Sequence, residues 1–347
     1  MDESISLRKE EHLRISLDQS VQEPVELGFS ALRLEHCALP EVNLEDIDIS
    51  TTFLGRRLKA PLMISGMTGG TDQAGKVNRH LAIAAEATGI AFCVGSQRAA
   101  IVNPQLASTY RVRDVAPDVF LFSNLGAIQL RRGFGIAECQ AAIDLIGADG
   151  LVLHLNPLQE ALQTHGDTTF AGVAEHIAEV CRALTVPVIV KEVGFGISGR
   201  VARQLLACGV AAIDVQGAGG TSWARVEGQR AREDRLVRAA EAFRYWGIPT
   251  PLCIRSVRRV CPDLPLIAGG GIRTGVDAAK AIALGADLVA AAQPFLQPAL
   301  DSAEAVIDRI EQIIFELRVA LFATGCQQLH DLRYVPITTR YGPFVDD

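Results

Sequence analysis

The sequence predicts an α/β fold, a closed (β/α)8 barrel of TIM type with an N-terminal extension. Three observations point there. Eight short apolar runs recur along the chain, each ends in a Gly-rich or polar junction, and helical periodicity follows the junctions. Near-continuous Val, Ile, Leu and Ala runs are what parallel strands buried on both faces require, and eight βα units in succession close into a barrel. The 347 residues, 49% hydrophobic and with 31 glycines, suit one large core with many tight turns, and no Pro/Ser-rich linker divides them.

In chain order, residues 1–59 read as the extension, charged at its start ("MDESISLRKEEHLRISL"). The expected strands are "APLMISGM" (60–67), "AFCVGS" (91–96), "VFLFSNL" (119–125), "GLVLHLN" (150–156), "PVIVKEVG" (187–194), "AAIDVQG" (211–217), "PLIAGGG" (265–271) and "LVAAAQP" (288–294). Stretches between them, such as "AECQAAIDLIGADG" and "VDAAKAIALGADL", carry helical spacing. Residues 296–323 read as the last helix. The barrel is therefore expected over 60–323, followed by a tail over 324–347 whose "LRYVPITTRYGPFVDD" fits no element.

A formal net charge of −7 argues against nucleic acid or an anionic membrane surface as the main partner, while leaving room for a local basic pocket. The eight cysteines form no CxxC and sit mostly in apolar segments, which reads as free thiols in a reducing compartment. No secretory signal is visible, and no apolar run approaches the ~18 residues of a membrane span. A cytoplasmic protein, expected as a homo-oligomer, is the reading.

In such barrels the carboxyl ends of the strands and the loops after them build the site. Those ends carry Thr68, Ser96, Asn124, His154, Asn156, Lys191, Gln216 and the Gly269–Gly271 turn. Polar groups at nearly every strand end form a ring around one ligand. "HLNPLQE" (154–160) is its densest arc, with an imidazole, two amides and a carboxylate in seven residues.

Two glycine-rich stretches compete as phosphate sites. "GFGISG" (194–199) follows a strand and precedes a helix, and Asp214 stands 20 residues past Gly194, so a dinucleotide fingerprint is formally complete. Four βα units precede it, however, whereas a dinucleotide fold places this motif early. The other reading is a tight strand-to-helix turn that needs positive φ. The stronger signal is "AGGGIRTG" (268–275) with "AAAQPF" (290–295), the loops after strands seven and eight, where barrels of this type hold phosphate. "GAGGTSW" (217–223) adds further backbone donors and the Thr221 hydroxyl.

These motifs together resemble the FMN-dependent type 2 isopentenyl diphosphate isomerase family. The resemblance runs from "RKEEH" (8–12) to about residue 320. It rests on that motif with "SGMTGG" (65–70), "VGSQR" (94–98), "SNLGA" (123–127), "HLNPLQE", "VKEVGFG" (190–196), "GAGGTSW" and "GGGIRTG". It implies interconversion of isopentenyl and dimethylallyl diphosphate in isoprenoid biosynthesis, with reduced FMN, Mg²⁺ and NADPH or NADH as reductant. It also implies that Gly66, Met67, Thr68, Ser96, Asn124, Lys191 and Thr221 line the flavin ring and ribityl chain. Gly271, Ile272 and Arg273, with Ala290 and Ala291, hold its phosphate. Arg8, Lys9, His12, Ser96, Gln97, Arg98, His154, Asn156 and Gln159 hold the substrate, Glu160 binds Mg²⁺, and Gln159, His154 and Lys191 form the catalytic set. The extension then acts as a substrate lid. Gln216 departs from the family pattern, in which a smaller residue is usual.

Each residue also has a plainer reading. Lys191 fits a structural ion pair with Asp214 or Glu192, and Arg8 and Lys9 fit a solvated charge run. His154 fits a satisfied core histidine, and Glu160 a helix-start carboxylate. The enzyme rival is an FMN-dependent 2-hydroxy-acid oxidase or dehydrogenase on the same barrel. It would need a His–Asp base and an Arg for the substrate carboxylate, and the late loops show no such arrangement.

Overall fold

The computed structural model describes residues 2–22, 28–339 and 342–343. Eight parallel strands form a closed barrel: β1 (Leu62–Ile64), β2 (Ala91–Cys93), β3 (Phe120–Gly126), β4 (Gly150–His154), β5 (Val188–Lys191), β6 (Ala212–Asp214), β7 (Leu266–Gly269) and β8 (Leu288–Ala291). They pair in sequence order, and β8 closes on β1 through Val289 opposite Leu62. Each strand lies inside one of the eight predicted runs except β3, which runs one residue past its own to Gly126.

Strand alternation decides what faces the lumen. Met63, Ala91, Cys93, Phe120, Phe122, Val152, Ile189, Ala212, Ile267, Leu288 and Ala290 fill the interior as one apolar cluster. Their outward neighbours, among them Leu62, Leu121, Leu151, Val190 and Val289, join the larger cluster under the helices. Two residues past an inward apolar residue, the same face reaches the carboxyl end. That step places Ser65, Asn124, His154, Lys191 and Asp214 on the inner face at the mouth. Register sets the last three side by side, with His154 opposite Lys191 and Lys191 opposite Asp214.

The helices are α1 (Asp2–Ser16), α2 (Asp72–Thr88), α3 (Arg98–Val102), α4 (Ile136–Ile146), α5 (Pro157–Leu162), α6 (Val173–Ala183), α7 (Gly199–Ala207), α8 (Trp223–Arg230), α9 (Asp234–Ala242), α10 (Thr250–Val260), α11 (Gly275–Ala283), α12 (Gln293–Asp301) and α13 (Ala303–Ala323). The last helix departs from the sequence expectation. A single helix over 296–323 is replaced by α12 and α13, because Ser302 turns extended and its hydroxyl caps the new helix at Ala305 N, 3.2 Å away. After β2 the outer layer is only α3 and a 3-10 segment, Pro104–Thr109. The α11–α13 crossing is close: a Cβ on Gly275 would stand 2.2 Å from Leu317 N, so only glycine fits there.

The extension covers both ends of the barrel. A hairpin pairs Thr51–Phe53 with Arg56–Leu58, and its Phe53 and Leu58 close the bottom of the lumen as part of the interior cluster. The tail finds a place as well: Ile337–Thr339 pairs antiparallel with Leu32–Leu34. The tail residues 340, 341 and 344–347 lie outside the described residues. No helix among the described residues is long and apolar enough to cross a membrane.

Candidate active site

One cavity opens at the carboxyl ends of the strands. All of the expected flavin, substrate and metal residues line it except Gln97. Gln97 is fully buried: its Nε2 donates to Ala142 O at 2.8 Å and its Oε1 accepts from Asn124 N at 3.0 Å. It ties β3 to α4 and does not line the cavity. The resemblance sets it among the substrate residues, but its neighbours Ser96 and Arg98 line the cavity and it does not.

The floor is built by β3 to β6. His154 Nδ1 lies 2.9 Å from Asn124 Oδ1. A carbonyl oxygen only accepts, so Nδ1 carries the proton and Nε2 is left with a lone pair. Desolvation and the nearby Lys191 and Lys9 push the imidazole down to about 3, so the ring is neutral across ordinary pH. Lys191 Nζ donates to the Glu192 carbonyl at 2.8 Å. Asp214 is fully buried, its Oδ1 has no partner among the described residues, and burial pushes its carboxyl up to about 6. Gln216 adopts φ +36° and donates to Asp214 Oδ2 at 2.8 Å and Ser65 Oγ at 3.3 Å, so the larger residue at this position packs under the cavity as a brace.

Past β4, α5 presents Gln159 and Glu160, both buried. Glu160 Oε1 accepts from Asn156 Nδ2 at 2.9 Å, and its Oε2 accepts from Asp167 N at 2.6 Å and Gln163 Nε2 at 3.3 Å. Asn156 Oδ1 is buried without a partner among the described residues. Gln159 is held at both ends, accepting from Asn156 Nδ2 at 3.2 Å and donating to Glu227 Oε1 at 3.0 Å.

Glu227, on α8, is a site residue that the sequence reading missed. It is 1% exposed, and its oxygens also accept from His12 Nε2 at 2.9 Å and Arg230 Nη1 at 2.6 Å. Burial pushes its carboxyl up, but the His12, Gln159 and Arg230 donors together outweigh that and the net shift is downward. In sequence it is one Glu in "WARVEGQR", indistinguishable from a solvated helix face. Tyr110 was missed too. Its buried hydroxyl donates to Ser96 O at 2.8 Å and receives Lys9 Nζ, which also reaches Ser96 O at 2.8 Å.

The N-terminal helix α1 therefore lies over the mouth. Lys9 grips Ser96 and Tyr110, His12 grips Glu227, Glu11 meets Arg230 Nε at 3.0 Å, and Gln22 donates to Thr221 Oγ1 at 2.8 Å. Desolvation and the adjacent Arg8 push the Lys9 ammonium down to about 7. Burial and Arg98 lower Arg8. Two guanidiniums thus face one region of the cavity, and neither has an ion-pair partner within bonding distance among the described residues.

Loops after β6 to β8 form the opposite side. Gly271 has φ +76°, and a Cβ there would stand 2.7 Å from Gly219 O. A Cβ on Gly220 would stand 2.8 Å from Gly271 N. The N–H groups of Gly271 and Ile272 find no acceptor among the described residues. Arg273 Nη1 donates to Gly219 O at 3.0 Å, while Asp277 caps the start of α11 by accepting from Arg273 N and Thr274 N, both at 3.1 Å. Ala290 and Ala291 line the cavity beside them with minimal side chains. Unpaired backbone donors with room in front of them suit a phosphate.

The GFGISG loop does not offer such donors. The Glu192 carboxylate already takes the N–H groups of Val193, Gly194, Phe195 and Gly196, at 2.7, 2.7, 2.5 and 3.1 Å. Gly194 and Gly196 have φ +147° and +90°, as the tight-turn reading requires.

A family model described as FMN-dependent dehydrogenase matches residues 140–338. A crystal structure of mandelate oxidase superposes with a TM-score of 0.65, covering 97% of this chain and 98% of that one at 16% identity, which speaks for the fold alone. The chain is 54% identical to isopentenyl-diphosphate delta-isomerase of Xanthobacter autotrophicus, over 98% of this chain and 99% of that protein. It is likewise 54% identical to the protein of that name from a Synechococcus species, over 93% of each. With half of its residues shared along nearly its whole length, the chain belongs to the type 2, FMN-dependent isopentenyl-diphosphate delta-isomerase family.

Proposed function

We propose that the chain converts isopentenyl diphosphate into dimethylallyl diphosphate for isoprenoid biosynthesis, with FMN kept reduced by NADPH or NADH and with Mg²⁺ beside the diphosphate. One observation carries this reading: a single cavity has two separate corners whose donors suit an anion. The unpaired N–H groups after β7 suit the FMN phosphate. Across the barrel, near β2 and β4, Arg8 and Arg98 suit a diphosphate. A 2-hydroxy acid carries one carboxylate and leaves that second corner underused.

The residues fit both groups. For FMN, the unpaired N–H groups of Gly271 and Ile272 beside the small Ala290 and Ala291 leave room for a phosphate, and Gly66 adds a wall without a side chain, since a Cβ there would stand 2.3 Å from Val94 O. For Mg²⁺, no cluster of three acidic, His or Cys groups exists among the described residues. Glu160 would supply one hard oxygen ligand to the ion, which commonly takes its other ligands from phosphate oxygens and water. The unpartnered Asn156 Oδ1 next to it suits such a water.

The reaction adds a proton at one carbon and removes one from another. The alkene is unactivated, so positive charge develops on it. When bound, reduced FMN supplies electron density and exchangeable protons against that charge. Lys191, inward-facing on the floor, would offer its ammonium to the negative charge of a reduced flavin ring bound there. Gln159 is fixed between Asn156 and Glu227, so it orients the alkene end. Through Glu227, which stays ionised, it also connects to a proton acceptor. His154 is neutral in the free site chiefly through desolvation, and a dianion in the cavity would offset only the smaller repulsion from Lys191 and Lys9. Helix α1 covers the substrate and excludes water.

The test is direct. Purified protein with FMN, a reductant and Mg²⁺ forms dimethylallyl diphosphate from isopentenyl diphosphate, and a chelator stops it. No product under these conditions refutes the proposal. Deleting residues 1–12 removes Arg8, Lys9 and His12 together. Loss of several charge-assisted contacts, each worth about 1.5–3 kcal/mol, raises KM by at least ~10²-fold and spares the fold and FMN binding. A normal KM for the deletion would leave α1 without a part in substrate binding.

A further inference from the structure

The "VKEVGFG" stretch contains a carboxylate that neither the flavin nor the substrate reading uses. Glu192 is 5% exposed, and its Oε2 is ringed by the four successive N–H groups of residues 193–196. Backbone nests of this kind ordinarily receive a ligand anion. Here the chain fills its own nest. The loop so held is part of the cavity wall: Val193 and Gly194 line it, and a Cβ on Gly194 would stand 2.9 Å from Thr221 O. The same residue's carbonyl receives the Lys191 ammonium at 2.8 Å. One residue therefore grips the loop by its side chain and the floor cation by its backbone.

We propose that Glu192 is a positioning residue of this site: its carboxylate, lodged in the nest of residues 193–196, fixes the carbonyl that aims Lys191 into the cavity. Without the carboxylate four N–H groups, that of Phe195 buried and the others partly so, lose their acceptor at once, the loop turns to find others, and the Glu192 carbonyl moves with it. Lys191 then loses its anchor although nothing touching the substrate has been changed. The inference rests on the isomerase reading for its rate readout and on the nest alone for its binding readout.

Glu192→Ala vacates the nest, and formate is a carboxylate small enough to enter it. The FMN-loaded variant is expected to lose at least about tenfold in kcat, the effect of removing one hydrogen bond to a charged group, with KM for isopentenyl diphosphate nearly unchanged. Added formate restores kcat and raises the melting temperature of the variant, with and without FMN, and does neither for the parent protein. Glu192→Gln keeps the volume but turns an NH2 toward N–H donors; it is expected to be slow and deaf to formate. A folded Glu192→Ala with parental kcat overturns the proposal. So does formate that raises the melting temperature without restoring kcat, since the nest then only stabilises the loop. Should Glu192→Ala not fold, a parental kcat in Glu192→Gln overturns it equally. An inactive parent protein would count against the isomerase reading, while the melting measurement would still report on the nest.

Discussion

Gly271→Asp is expected to abolish FMN binding in a chain that still folds. Three effects add at this position. The φ of +76° strains any residue with a Cβ, at a cost of about 1–3 kcal/mol. The Cβ itself would stand 2.7 Å from Gly219 O, pushing apart the two loops whose N–H groups face the cavity. The new carboxylate would then lie against the phosphate. Together they are expected to weaken FMN affinity by more than ~10²-fold, since 1.4 kcal/mol is already a factor of ten. Gly271→Ala shares the first two effects without the charge and is expected to fall between. Flavin fluorescence quenching reads the affinity, and circular dichroism checks the fold. Full affinity in a folded Gly271→Asp would put the phosphate elsewhere.

Glu160→Gln is expected to cut activity by at least ~10²-fold, as a lost metal ligand or its immediate support commonly does, while FMN affinity barely changes. Size is kept and charge removed. The carboxylate also accepts from Asp167 N, Gln163 and Asn156, so the variant turns an NH2 toward at least one of these donors. The signature that separates metal loss from this local misfit is the Mg²⁺ titration. A higher Mg²⁺ requirement is expected. An unchanged Mg²⁺ dependence removes Glu160 from the metal and leaves it as the support of the loop at Asp167.

The barrel was legible because its signals are local. Each strand announces itself within a few residues, and strand alternation carries a readable apolar residue such as Ile189 to a cavity-lining one such as Lys191 two positions later. The loops after β7 and β8 were legible through glycine and alanine alone. What stayed hidden was pairing across the chain. Glu227 meets Gln159 across 68 residues and His12 across 215, and Tyr110 meets Lys9 across 101. No periodicity encodes such contacts. Gln97 shows the opposite limit: the resemblance sets it among the substrate residues, while its side chain is tied to α4 and lies outside the cavity lining. The GFGISG motif shows the same limit: its spacing matches a phosphate loop, and the residue that decides the matter is Glu192, which the motif does not include.

The central claim, that two anion corners serve an isomerisation without net redox, is tested most directly by following substrate and flavin together. Under anaerobic conditions the protein carries FMN reduced once, with Mg²⁺ and excess isopentenyl diphosphate. Proton NMR follows the alkene signals while absorbance follows the flavin. The account predicts many molecules of dimethylallyl diphosphate per FMN with the flavin still reduced at the end. Isopentenyl diphosphate consumed at one per FMN to a reduced product with matching flavin oxidation, or an unchanged diphosphate while, in a parallel sample with oxidised FMN, a 2-hydroxy acid rapidly reduces the flavin, would contradict it.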